Sequence, residues 1–405
     1  MDKFTEVSHK SGLSNIGGSF KGIIFGILLI VGSIYLLWTN EGRAVHVARA
    51  LEEGSGSVVS VAANKVDPTN EGKLVHVSSL ATTKDTVVDE EFDVKVNALK
   101  LIRDVEVFQW KEKTSSSTKN NLGGSSDTKT EYTYVKEWGS SPVSSDNFKI
   151  KEGHINIVPY AYEDKTKLAA HVSFGAFSLN EDLLGRISTS EKLPVKIIDT
   201  TKLKNAMLSA GSIYMGSKNL SNPEVGDVRI SYQAVYPKNV SIVAKQIGNT
   251  FEEYIASNDE TVLLLKEGTS SAENMFKKAI EGNKFKTWLL RWLGFFMMFF
   301  GFRGIFKPLI AMGNIIPFVG SMISMGVGII SFALALPISA LIIAIAWFTY
   351  RPLMSGIIIG SALLIYFYYR SRGKKKAAAA INSGSSPVQT GSSSQPYGSR
   401  VGENK

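Results

Sequence analysis

Apolar residues gather in two blocks that are longer than a soluble core requires. Residues 288–369 hold runs at 288–302, 318–348 and 353–369, each near the ~17–25 residues of a helix that crosses a bilayer. A fourth run at 22–38, GIIFGILLIVGSIYLLW, carries no charge and ends in Trp38, an aromatic suited to the membrane interface. Between the blocks the period changes. From Ser57 onward β-branched and aromatic residues alternate with polar ones between turn residues, which predicts strands. Candidates are 74–79, 195–198, 228–235, 240–244 and 262–265. VEVFQW at 105–110 and YTYVKEW at 132–138 flank a polar loop at 114–127 and read as one long hairpin with aromatics packed across it. A platform for carbohydrate or lipid is the other reading of that aromatic row.

Helical spacing returns in short stretches. Residues 44–54 predict a short helix at the membrane exit, 181–186 a helical interlude, and Ser270 with Glu273 a capping box before AENMFKKAIEGNKFKTW, where Gly282 is a possible break. Residues 304–320 are interrupted by Pro308 and Pro317 and suit an interfacial or re-entrant segment. Pro337 predicts a kink in the third crossing.

The pattern describes an α+β membrane protein with four transmembrane helices, one N-terminal and three C-terminal. Its expected parts are a loose leader (1–21), a first crossing (22–38), a strand-rich extracytoplasmic domain (39–286), a second crossing (287–303), the interfacial segment (304–320), a third crossing (321–348), a fourth (352–369) and a basic, then disordered tail (370–405).

Charge changes this picture by orienting it. The 405 residues have a net charge of +9, yet residues 44–284 hold 29 basic against 32 acidic residues, which leaves +12 for the remainder. The excess therefore belongs to the membrane flanks rather than to a nucleic-acid surface. Lys3, Lys10 and Lys21 precede the first crossing, Arg303 and Lys307 follow the second, and Arg370, Arg372 and Lys374–Lys376 follow the fourth. All fall on one side if both termini are cytoplasmic. The domain is then expected in a periplasm, or in the lumen of the endoplasmic reticulum or nuclear envelope in a eukaryote. No small-residue cleavage site follows Trp38, so the first run reads as a retained anchor rather than a signal peptide. Without cysteine, disulfides and thiolate metal sites are excluded.

Candidate chemistry is sparse. The five histidines, His9, His46, His76, His154 and His171, make no ligand pair at one-turn spacing, and no P-loop, GxSxG or strand-borne GxGxxG occurs. The membrane block offers a possible polar site at Arg291, Glu41, Arg43, Asn314 and Arg351, because an ionisable group in hydrocarbon is costly and usually partnered. Arg291 lies one turn into its crossing and reads either as a snorkelling anchor or as a functional cation. Glu41 and Arg43 read as interface anchors or as the rest of a site at the bundle mouth. Arg351, beside Pro352, reads as a topological stop. The crossings contain no Asp or Glu, which weakens a transporter. No catalytic, cofactor or metal residues are assigned.

Several stretches together resemble the transmembrane protein 43 family, also called LUMA. They are TNEGRA at 39–44, NEGKLVH at 70–76, VFQW and YTYVKEW, PEVGDVRIS at 223–231, KTWLLR at 286–291 and YRPL at 350–353. The resemblance implies a tetraspan organiser of membrane protein complexes, placed in the endoplasmic reticulum and inner nuclear membrane of eukaryotes and with relatives in bacteria; it supplies no catalytic residues. The reading that results is a membrane scaffold with membrane lipids and other membrane proteins as partners, a homo-oligomer, without nucleic acid or cofactor. The alternative is an intramembrane or interfacial enzyme acting on lipid, with Arg291 on a headgroup.

Overall fold

The structure is a computed structural model that describes residues 2–158, 161–196, 203, 206–217, 221–352, 356–357, 360–361 and 364. The expected fourth crossing, the tail and the end of the 195–198 strand lie wholly or largely outside these residues. Two compact units divide the chain, Met1–Ala346 and Trp347–Lys405.

Helix α1, Gly12–Ser57, starts at a Ser11 N-cap and runs without a break for 46 residues. The short helix expected at the membrane exit is thus the continuation of the first crossing. The N-terminal stretch of helix α3, Ala272–Ile305, likewise runs straight through Gly282, and Ser271 rather than Ser270 is its N-cap, accepting from the Asn274 N–H. Packing of the segments before and after Gly282, through Met275 and Phe276 and through Thr287 and Gly294, outweighs the roughly 1 kcal/mol cost of glycine in a helix interior. The six-residue helix α2, Glu181–Arg186, forms as expected. Helix α4, Lys307–Gly313, fills part of the interfacial segment, and helix α5, Pro317–Tyr350, contains Pro337. Gly17–Ser57, Ala272–Ile305 and Phe318–Tyr350 are long and apolar enough to cross a membrane.

Helices α1 and α3 pack antiparallel at close range. A Cβ on Gly26 would fall 2.5 Å from the Gly301 carbonyl oxygen, and one on Gly304 would fall 2.8 Å from that of Gly22. This small-residue seam lets the two backbones touch. Leu37, Phe295, Met298 and Ala335 form the core shared with α5.

Among the described residues the strands form two main sheets. In the first, Lys100–Asn120 pairs with Ser126–Gly139 on one side and Val228–Val235 on the other. In the second, Leu74–Thr82 pairs with Lys238–Ile247. Val105, Val107, Ile213, Ile230 and Tyr232 of the first sheet share a core with Val75, Val77, Val240 and Ile242 of the second. The opposite face of the second sheet meets the helices, with Leu74 and Val243 packed on Ala50 and Leu51 of α1 and on Met275 and Phe276 of α3. Burial on both faces explains why 74–77 is buried throughout, whereas Val228–Tyr232 keeps the expected alternation.

The hairpin is longer than its aromatics suggested. Pairing continues through the Ser/Thr residues to Asn120 and Ser126, with Thr118 and Thr128 hydroxyls bonded at 2.9 Å, and Phe108 packs on Trp138 at 5.4 Å. Nor is the leader loose. Asp2–Lys10 is a strand paired with 126–134, Val7 opposite Lys129. The resulting three-stranded arm reaches the N-terminal end of α1, where Asn15 Nδ2 donates to the Gly124 carbonyl at 3.0 Å and the Gly123 N–H donates to the Ile315 carbonyl at 2.9 Å.

Buried polar anchors hold the domain's turns. Arg103 Nη1 lies 3.0 Å from Asp89 Oδ2, which also accepts from Tyr232 Oη at 2.8 Å. Lys100 Nζ donates to the carbonyls of Gly185 and Ile187 at 3.1 and 2.8 Å at the end of α2. Glu267 accepts from the N–H groups of Ser188 and Thr189 at 2.8 and 2.9 Å and from Lys238 at 3.2 Å. Burial alone would raise its pKa; the bonds from Thr189, Ser188 and Lys238 outweigh that and bring it from 4.5 down to about 2. A depressed folded-state value stabilises fully above about pH 4.5, and the contribution, on the order of 3 kcal/mol, disappears as pH falls through about 2. Thermal melting from about pH 5 to about pH 2.5 is expected to show a steep acid loss that Glu267→Gln flattens.

Candidate functional site

A polar cluster sits where the chargeless run of α1 ends. On α3, Asn283, Thr287 and Arg291 are four residues apart and share one face; on α1, Asn40, Glu41 and Arg43 meet them. Arg291 Nε donates to Glu41 Oε1 at 2.6 Å and Nη2 to Oε2 at 2.8 Å. Glu41 is completely buried and the Arg291 side chain is 15% exposed. The guanidinium also lies 4.9 Å from the centre of the Trp288 ring. Arg43 Nη1 donates to Asn283 Oδ1 at 2.9 Å, and Nη2 donates to Asn40 Oδ1 and Thr287 Oγ1 at 3.1 Å each. Asn40 Nδ2 reaches the Thr287 carbonyl at 3.1 Å, and Asn283 Nδ2 the Ala44 carbonyl at 2.9 Å. Arg43 Nε is buried without a hydrogen-bond partner.

Three of the five expected residues therefore come together. Asn314 does not join them: it lies past α4, beyond the opposite end of the α1–α3 seam, where a Cβ on Gly320 would fall 2.0 Å from its Oδ1. Arg351 belongs to the second unit, and its N–H bonds the Trp347 carbonyl at 2.7 Å. Asn283, Thr287 and Asn40 were missed, although the four-residue spacing of polar residues entering an apolar helix was visible.

The cluster is built to hold two helices. Glu41 binds both the Nε and Nη2 groups of Arg291, a bidentate geometry that fixes orientation. The cluster contains no histidine or hydroxyl–base pair suited to proton transfer. Just beyond it α1 and α3 are tied to the domain. Glu53 accepts from the Ser257 N–H at 3.0 Å and the Tyr254 hydroxyl at 3.1 Å, and Asn258 Nδ2 donates to the His46 carbonyl at 2.8 Å. His76 Nε2 lies 2.8 Å from the Ser270 carbonyl oxygen, directly before α3.

Other motif residues also hold turns. The Glu71 carboxylate accepts from the Gly248 N–H at 2.9 Å. Asp227 accepts from the N–H groups of Ser217 and Glu224 at 2.7 and 2.8 Å and from the Tyr214 hydroxyl. Burial raises the Asp227 pKa, but the Ser217 and Tyr214 bonds prevail and hold it below the usual aspartate value. Among the described residues no group of three or more His, Asp or Glu is placed to hold a metal ion.

Comparison with known proteins now decides the family. The family described as Transmembrane protein 43 matches residues 107–352. The chain belongs to it. Relatives named "Transmembrane protein 43" are 32% identical in Mus musculus, over 88% of this chain and 91% of the mouse protein, and 31% identical in Homo sapiens, over 87% and 90%. A "Transmembrane protein 43 homolog" of Drosophila melanogaster is 30% identical over 84% and 91%. No solved structure matches. This member of the transmembrane protein 43 family is an integral membrane protein with three candidate spans among its described residues.

Removing one partner of the ion pair strands a buried charge. Glu41→Ala is expected to cost about 3–5 kcal/mol, whereas Glu41→Met with Arg291→Met recovers most of it. Thermal unfolding of the purified protein in detergent reads both outcomes.

Proposed function

We propose that the protein is a membrane scaffold whose strand-rich domain is held rigidly against the bilayer and organises other membrane proteins or lipids, as a homo-oligomer. The observation that supports this is the absence of a joint: α1 and α3 each pass unbroken from the apolar bundle into the domain and are bonded to it at His46, Glu53 and Ser270. A domain with this attachment presents a fixed surface. The lipid-enzyme alternative loses its motive, since the cation proposed for a headgroup is engaged by Glu41. Extraction at native expression with the surrounding lipid, followed by mass measurement, is expected to yield oligomers or defined hetero-complexes. Recovery of single chains without protein partners would overturn the scaffold.

The charge distribution supports a placement with both termini cytoplasmic and the domain on the other side. The pairing of Asp2–Lys10 with 126–134 bears directly on it, because these segments flank the first crossing and polar strand edges do not sit in hydrocarbon. The placement requires the leader strand to release on insertion and the hairpin tip at Gly123 and Gly124 to leave Ile315 and Asn15. The chain lacks cysteine, so Val7→Cys with Lys129→Cys is a clean probe. Labelling from opposite sides and no disulfide in intact membranes are the expected results, and a disulfide there overturns the placement.

A further inference from the structure

A second arginine in the bundle differs from Arg291 in one respect that matters chemically. Arg303, two residues before the end of α3, has one hydrogen bond, Nη2 to Ser324 Oγ at 3.3 Å, and no ion pair among the described residues. No acid is available on its own side of the chain, because no Asp or Glu occurs between Glu281 and Glu403. The acid of α1 nearest to the seam, Glu41, is already bound to Arg291 near the other end of it. A half-buried guanidinium in apolar surroundings favours a counter-charge.

The surroundings say what kind. Arg303 lines one end of a shallow, open groove of about 580 Å³ between α3 and α5. Ser321 and Ser324 line the same end. Met325, Ile329 and Phe332, each further along α5, and Phe299, one turn back along α3, line the rest. Gly328 keeps the groove open: a Cβ there would find only Arg303 Nη1, at 3.8 Å. Lys307, outside the groove, adds positive charge at this end of the bundle, its side chain lying over Gly22. The groove is therefore cationic and hydroxyl-lined at its mouth and apolar along its length, and it opens on helices whose outward residues, such as Phe296, Phe300, Met322 and Ile330, are exposed hydrophobics.

We infer that this groove binds one anionic phospholipid, the headgroup phosphate on Arg303 with the Ser324 hydroxyl, and an acyl chain along Phe299, Met325, Ile329 and Phe332. Charge complementarity calls for the anion, and the apolar walls call for a lipid rather than free phosphate. The site lies in the bundle and does not rest on the scaffold reading.

Native mass spectrometry of the full chain, delipidated in detergent and titrated with phosphatidylglycerol or phosphatidylcholine, tests it. One phosphatidylglycerol adduct is expected at about tenfold lower lipid concentration than phosphatidylcholine requires, the scale of one charged hydrogen-bond contact. Arg303→Gln and Gly328→Leu are each expected to remove that preference or the adduct by about tenfold, the first by charge and the second by filling, while Arg303→Lys keeps most of it. Lipid-free melting temperatures close to wild type for these variants show that the fold is intact. Equal binding of the two lipids, or an undiminished adduct in both Arg303→Gln and Gly328→Leu, overturns the site. Displacement of the adduct by inorganic phosphate overturns the lipid as its occupant, as does a variant that loses a protein dimer instead of a lipid.

Discussion

The close antiparallel contact of α1 and α3 is the constraint on which the rest of the fold depends. Glycines at 22, 26, 301 and 304 bring the backbones together, but a seam of small residues alone tolerates sliding by a turn. The Glu41–Arg291 pair removes that freedom. A one-turn slip of about 5.4 Å would leave two charges apart in a region where neither is solvated, at a cost of several kcal/mol. Asn40, Arg43, Asn283 and Thr287 add direction, because their amides, hydroxyl and guanidinium bond across the helix pair. With the register set, the ends of α1 and α3 arrive side by side under the second sheet, and Leu74 and Val243 have a surface on which to pack.

The same logic recurs inside the domain. Asp227, Glu71, Lys100 and Glu267 each gather backbone groups of a turn or helix end, and Arg103, Asp89 and Tyr232 close a polar contact within the core. These groups satisfy backbone or side-chain polar atoms that would otherwise be buried unpaired. Several lie in the stretches that carry the family resemblance: TNEGRA and KTWLLR supply the helix clamp, NEGKLVH supplies Glu71 and His76, and PEVGDVRIS supplies Asp227. These parts of the stretches that carry the resemblance are thus accounted for by architecture.

Legibility in the sequence followed the range of the interaction. The apolar runs, the Val228–Val235 alternation, the helix at 181–186 and the hairpin partners were readable because each rests on local period. The expected end at Gly54 and break at Gly282 misled, since glycine signals an end only where tertiary packing does not continue the helix. The leader strand was invisible: DKFTEVSHK has a weak period, and its pairing partner is more than a hundred residues away. Arg291, Glu41 and Arg43 were recognisable singly by their position in or beside hydrocarbon. That Glu41 belongs to Arg291 was not, because the pairing depends on a helix register fixed by glycines elsewhere.

Helix length finally separates what must lie in the bilayer from what cannot. At 46 residues α1 is about 69 Å long, more than twice the ~30 Å of hydrocarbon. The chargeless run from 22 to 38 fits that thickness, and the polar clamp begins two residues after it. Residues 44–57, about 20 Å of helix, then continue as a stalk paired with the first turns of α3, and the second sheet rests on both. A single unsupported stalk would bend at Gly54; two, clamped at their base by an ion pair and capped by a sheet, resist bending in the direction that separates them. The rigid attachment proposed between domain and bundle would in this way follow from where the charges sit.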